Sequence, residues 1–147
     1  MATSSDILAG KTIILTGGGG DIGTATARLL LSRGAKVALF DRSAEALERL
    51  RADAGGSDRL LVGSCDVTDE ADVRSRFADA HSHFSGVHGI VNAAGIEGAR
   101  GPIHECATEM FETVMAVNVK GVFLGMKHGI PLLQQSGGGA IVNACST

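Results

Sequence analysis

The chain has 147 residues, 44% of them hydrophobic and 20% charged, with a formal net charge of −3. That length suits one domain, and that composition supports a buried core rather than a disordered chain. A weakly acidic chain with five Phe and neither Trp nor Tyr lacks the basic field and stacking platforms of nucleic-acid binding, and no apolar run reaches the roughly 18 residues of a membrane span.

Read in chain order, Lys11 to Thr16 is a β-branched strand ending in four glycines, Gly17 to Gly20. Asp21 to Arg33 has a helical apolar face, with Gly34 as its stop. Val37 to Phe40 is a second strand closed by Asp41. Ser43 caps a helix over Ala44 to Ala54, which Gly55 and Gly56 end. Leu60 to Cys65 is a third strand. Thr68 is the expected cap of a helix reaching His83, with acids in its first turn where the helix dipole favours them.

Val87 to Asn92 is a fourth strand, followed by a Gly-rich loop to Ala107. A long helical stretch from Thr108 to Gln134 is expected to bend near Asn118 and again before Pro131. The last strand is Ala140 to Cys145. Strands apolar on both faces, each joined to the next by a helix-length segment, predict an α/β fold. Its parallel sheet is doubly wound, Rossmann-type, with helices on both sides in three layers. Ligands of such sheets sit at the carboxyl ends of the strands, so the segments just after each strand are the candidates.

In Thr16–Gly23, Gly18, Gly20 and Gly23 fit G-x-G-x-x-G between a strand and a helix, although a run of four glycines makes that match cheap. Glycines let a pyrophosphate approach the amides of a helix N-terminus. Asp41, 18 residues beyond Gly23, stands where a carboxylate accepts hydrogen bonds from an adenosine ribose. A dinucleotide is the expected ligand, with S-adenosyl-methionine the main competitor.

The strand ends carry more. Thr16-Gly17, Ile22-Gly23, Cys65-Asp66-Val67, Asn92-Ala93-Ala94-Gly95, Asn118 within VNVKGVF, and Asn143-Ala144-Cys145-Ser146 occur in this order. Together they resemble the short-chain dehydrogenase/reductase family over essentially the whole chain. There are two departures. Asp21 stands where the family's TGxxxGxG loop has glycine, and the family's Tyr-x-x-x-Lys is missing. Asp21 is either an N-cap, the favoured reading, or an acid that weakens pyrophosphate binding.

The resemblance implies an NAD-dependent hydride transfer between nicotinamide and a secondary alcohol or ketone. It implies that Gly17, Gly20, Asp21, Ile22 and Gly23 form the phosphate loop, and that Ile22 offers its N–H. Asp66 and Val67 would flank the adenine, and Asn92, Ala93, Ala94 and Gly95 would line the floor under the cofactor. Asn118 would kink its helix and free a carbonyl for a proton-relay water. Ser146 would orient the substrate. Simpler alternatives stand beside these: Asp66 as a turn cap, Asn92 to Gly95 as an ordinary strand exit, Asn118 as an exposed helix residue, and Ser146 as a frayed end.

The remaining side chains add little. His81 and His83 end a helix and point to different faces, which argues against a metal site, and His104 and His128 have no partner pattern. Cys65, Cys106 and Cys145 lack metal spacing, suit reduced thiols in a cytoplasm, and make Cys145 a packing residue rather than a nucleophile. Met110, Val114, Val117, Gly121, Phe123, Leu124 and Met126 exceed one core-facing stripe, and the resemblance implies a homo-oligomer, dimer or tetramer. With no Tyr, and with a last strand two residues from Thr147, residues 1–147 are expected to be one NAD-binding Rossmann domain. It would lack the C-terminal part of the family fold and be inactive alone. A non-catalytic dinucleotide-binding module is the alternative.

Overall fold

The structure, a computed structural model, describes residues 6–145. Five strands form one parallel sheet: β1 (Thr12–Thr16), β2 (Lys36–Asp41), β3 (Leu60–Ser64), β4 (Gly89–Asn92) and β5 (Ala140–Asn143), in the order β3-β2-β1-β4-β5. The register pairs Thr16 with both Phe40 and Asn92, Asp41 with Ser64, and Asn92 with Asn143. All strand exits therefore share one edge. The chain works outward from β1 to β3, then crosses to β4 on the other side of β1, which puts the switch point between β1 and β4.

Alternation along the central strands divides the core. Ile14, Ala38, Phe40 and Ile90 face α3 (Glu70–Phe84) and α5 (Gly121–Gln135), meeting Val73, Phe77, Leu124 and Leu133. Leu15, Val37 and Leu39 face α1 (Asp21–Ser32) and α2 (Ala44–Asp53), meeting Ala27, Leu47 and Leu50. The expected three-layer arrangement is what forms. β5 pairs only with β4, and Val142 on it is 57% exposed.

Several element ends differ from expectation. Asp69, not Thr68, caps α3, its carboxylate accepting the Ala71 and Asp72 N–H groups. Thr68 is already committed, because its N–H and its hydroxyl both donate to Asp66 Oδ1, at 2.9 and 2.8 Å. Ser43 caps α2 as expected, accepting from Ala46 N–H. β4 begins at Gly89 rather than Val87, and β5 ends at Asn143 rather than Cys145.

The long C-terminal helix is two helices. α4 (Thr108–Met115) passes through one π-helical turn, Ala116–Lys120, into α5. Asn118 lies in that turn, where the bend was expected. α5 then runs through Pro131, held on both sides of it by buried Gly129 and Leu133. Gly121, Gly125 and Gly129 face inward, where an added Cβ would meet Val67, Asn92 and Ile90 respectively. This stripe seats α5 against the sheet.

At the opposite edge from the strand exits, His88 bridges β1 to the start of β4. Its ring Nδ1 accepts the Thr12 N–H at 3.1 Å, and its own N–H donates to the Thr12 carbonyl at 2.8 Å. Burial, reinforced by Lys11 and Lys36, holds the ring below its ordinary 6.5. A protonated ring has no lone pair for Thr12. As pH falls below the ordinary value the unfolded chain takes up the proton first, so stability is full above that value and declines beneath it until the folded ring titrates. Urea unfolding from about pH 7.5 to about pH 5 is expected to show this decline, flattened in His88→Ala. An unchanged slope in the variant would refute the assignment.

Candidate functional site

The glycine run leaves β1 at the switch point. Gly17 has φ +73, a left-handed backbone, and a Cβ there would overlap the backbone of Ala93 and Ala94 after β4. A Cβ on Gly23 would overlap the Gly17 carbonyl oxygen. The loop is therefore packed against both its own helix and the neighbouring strand exit, and only glycine fits at these two points. Gly20 precedes α1, and no side chain caps the helix. Asp21 is not the N-cap favoured from sequence. It is the first residue of α1, exposed, because Gly20 already takes the cap position in extended backbone. Among the described residues no side chain caps the first-turn amides, Ile22 among them.

Asp41, the last residue of β2, reaches back to this loop. Its Oδ2 accepts the Gly19 N–H at 2.8 Å and its Oδ1 accepts the Ser43 N–H at 2.8 Å. Two backbone donors thus fix one carboxylate before any ligand arrives. At the exit of β3, the Thr68 N–H and then its hydroxyl hold the Asp66 carboxyl below the usual carboxylate range, with help from Arg42 and Lys120. The turn-cap reading of Asp66 is realised on Oδ1. Its Oδ2 lies 4.0 Å from Arg42 Nε across the groove. Val67 is 7% exposed, packed where Gly121 leaves room.

Asn92 is buried at the end of β4, its Nδ2 donating to Asn143 Oδ1 at 2.8 Å, while its own Oδ1 has no partner among the described residues. The loop beyond it is clamped by Asn118. Asn118 Oδ1 accepts the Ile96 N–H at 2.9 Å, and Asn118 Nδ2 donates to the Ile96 carbonyl at 3.0 Å. Asn118 is exposed, yet it is not an idle helix residue. It ties the π-helical turn to the Ala93–Ile96 segment.

Together these strand exits enclose a groove of about 440 Å³ that runs from Asp41, Arg42 and Asp66 past Gly17 to Gly95. A second hollow of about 500 Å³ continues from the same Ala93–Ile96 segment to Ile22, Asn118 and Cys145. Gly17, Gly20, Asp41, Asp66, Val67, Ala93, Ala94 and Gly95 line the first, and Ile22 and Asn118 line the second. Ser146 lies outside the described residues.

Three features escaped the sequence reading. Asp41 braces the glycine loop as well as facing the groove. His128 does have a partner, its Nε2 lying 3.0 Å from Glu70 Oε1, which Lys127 Nζ also meets at 2.7 Å. Cys145 is exposed rather than packed in the core, because β5 has ended and nothing among the described residues covers it.

Comparison with known proteins agrees with this geometry. The family profile described as short chain dehydrogenase matches residues 11–147. Levodione reductase of Leifsonia aquatica is 35% identical over 139 residues, covering 92% of this chain and 52% of that protein. The 2,5-dichloro-2,5-cyclohexadiene-1,4-diol dehydrogenase of Sphingobium indicum is 41% identical over 140 residues, covering 95% and 55%. Among solved structures, NAD+-bound xylitol dehydrogenase superposes with a TM-score of 0.90 at 33% identity, over 96% of this chain and 55% of that one. A 3-ketoacyl-(acyl-carrier-protein) reductase from Brucella melitensis, complexed with NADH, gives 0.88 at 32%, over 94% and 57%. The chain belongs to the short-chain dehydrogenase family of oxidoreductases, and its sheet is the Rossmann-like sheet of those structures. It spans about half the length of the relatives it matches.

The cysteines give a direct check on the groove wall. Burial, then the neighbouring Asp72 carboxylate, pushes the Cys65 thiol up to about 12, whereas Cys145 is exposed. Since the thiolate is the reactive form, a thiol reagent at mildly alkaline pH is expected to modify Cys145 and leave Cys65 intact in the folded chain. Mass mapping that finds Cys65 modified first would contradict this burial.

Proposed function

We propose that residues 1–147 form one NAD-binding Rossmann unit of a cytoplasmic oxidoreductase that interconverts a secondary alcohol and a ketone on a small molecule. The observation that carries this reading is the uncapped N-terminus of α1 under the glycine loop, with the Asp41 carboxylate fixed beside it by Gly19 N–H at 2.8 Å. A pyrophosphate fits there because the loop presents amides and no side chain before Asp21. Gly17, Gly20, Ile22 and Gly23 would hold the phosphates. Asp41 would take the ribose hydroxyls, Asp66 and Val67 the adenine, and Asn92 to Gly95 the floor. Asp21, exposed in the first turn, would keep its carboxylate toward solvent.

A bound nicotinamide would supply the hydride acceptor or donor. Around it this chain contributes position. Asn118 holds the Ala93–Ile96 segment, and the π-helical turn around it would offer backbone to a proton-relay water. Ser146 would orient the substrate oxygen. The chain contains no Tyr, so the tyrosinate acid/base expected from the resemblance is not supplied by these residues.

Three outcomes test this reading. NAD is expected to bind roughly tenfold or more tightly than NADP, because ribose hydroxyls donate to Asp41 whereas a 2′-phosphate meets its like charge. Arg42 opposes this, but it is held loosely by Asp66 at 4.0 Å. Titration of both cofactors decides it. Asp41→Ala narrows the gap, and equal affinities in the wild type would overturn the claim.

The second outcome is catalytic. General acid–base catalysis contributes about 10²–10⁴-fold, and no Tyr is present to provide it. The chain is expected to show no NAD reduction with a panel of secondary alcohols. Turnover that is lost in Ser146→Ala would require a different base.

The third is association. From α4 through the π-helical turn into α5, Val117, Gly121 and Leu124 are buried, while Phe111, Met115, Val119 and Phe123 form an exposed stripe at helical spacing. A homo-oligomer, dimer or tetramer, would cover that stripe. Light scattering is expected to show association. A stable monomer at high concentration would count against it.

A further inference from the structure

We propose that Asp72 and Arg76, one turn apart on α3, are positioning residues that hold the Asp66–Val67 wall of the groove; this rests on the nucleotide reading above. The wall begins where β3 stops. The Cys65 N–H still donates to the Asp41 carbonyl at 3.0 Å, so one side of the strand exit is tied to β2. Beyond that residue no strand continues the ladder. The Asp66 N–H instead donates to Asp72 Oδ2 at 2.8 Å. Two residues earlier, the Ser64 carbonyl accepts from Arg76 Nε at 2.7 Å. The two side chains also pair, Arg76 Nε standing 3.5 Å from Asp72 Oδ1.

The result is a clasp. One helical turn grips a donor and an acceptor of the same strand exit, on either side of buried Cys65. A charged acceptor makes the stronger kind of hydrogen bond to a backbone amide. Neither side chain lines the groove, so both would act through Asp66 and Val67 rather than on a ligand. Asp66 is also held within its own turn, its carbonyl accepting the Asp69 N–H at 3.0 Å. Its Oδ1 is spent within the local turn, and among the described residues its Oδ2 has only the Arg42 ion pair at 4.0 Å. The Thr68 bonds orient the carboxylate relative to this turn, and where the turn sits against the groove follows from where the Asp66 amide is pinned.

Asp72 could instead serve only α3, as an acid complementing the helix dipole. The two roles separate experimentally. In the full chain without nucleotide, the Asp66 amide is expected to exchange slowly with solvent deuterium, although it lies past the end of a strand. Asp72→Ala is expected to speed that exchange and to weaken ADP-ribose binding roughly tenfold, while leaving nicotinamide mononucleotide binding unchanged. Asp72→Asn keeps an acceptor oxygen and is expected to restore both. Rapid exchange at Asp66 in the wild type overturns the proposal without any variant, which covers the case of an Asp72→Ala that does not fold. So does equal loss of both ligands, or no rescue by Asn. A wild type that fails to bind ADP-ribose counts against the nucleotide reading, and the exchange arm then still decides whether the clasp exists.

Discussion

The arrangement depends on one close approach. Gly17 brings the exit of β1 against the backbone of Ala93 and Ala94 so tightly that a single Cβ would overlap it. The two hollows at the strand exits lie around that contact. The glycine loop can turn under α1 only because Gly23, with no Cβ, leaves room for the Gly17 carbonyl. The Ala93–Ile96 segment can serve both hollows only because it is pinned on one side by this contact and on the other by Asn118. Widening the gap by a methyl group would separate the two halves of the carboxyl edge at the switch point, where such sheets take their ligands.

The charged groups follow a consistent logic around that contact. Asp41, Asp66 and Asp72 all accept backbone N–H groups at strand or loop exits, at 2.8 or 2.9 Å. Carboxylates are being used here to terminate a sheet, taking over the donors that the ladder no longer pairs. A charged acceptor does this better than a neutral one, and it leaves two of the three carboxylates, Asp41 and Asp66, on the groove.

Much of the fold was legible because its signals are local and repeated. Each strand is a short apolar run closed by a polar residue, and Ser43, Gly34 and the acids of α3 punctuate the helices as their side-chain chemistry dictates. The turn at Asn118 and the candidate residues at the strand exits were visible for the same reason. What stayed hidden was competition between neighbours. Thr68 and Asp69 are both good caps, and only the claim of Asp66 on Thr68 decides between them. Asp21 has the right chemistry for a cap, but Gly20 occupies the geometry. The partners of His128 and of Asp72 are distant or on another element, and no periodicity announces them.

The pairing of β1 has a consequence for how the site comes into being. Its contact with β2 spans one helix, but its contact with β4 joins Thr12 to His88, seventy-six positions apart. Closing the larger loop costs about 1 kcal/mol more entropy than closing the smaller, before any side chain packs. Non-local pairings of this kind are slow to form. On that entropy alone, the glycine loop, Asp41 and α1, held by the shorter closure, are expected to form ahead of the docking of the Ala93–Ile96 segment. Destabilising substitutions in β4 are then expected to weaken the longer closure more than the shorter one.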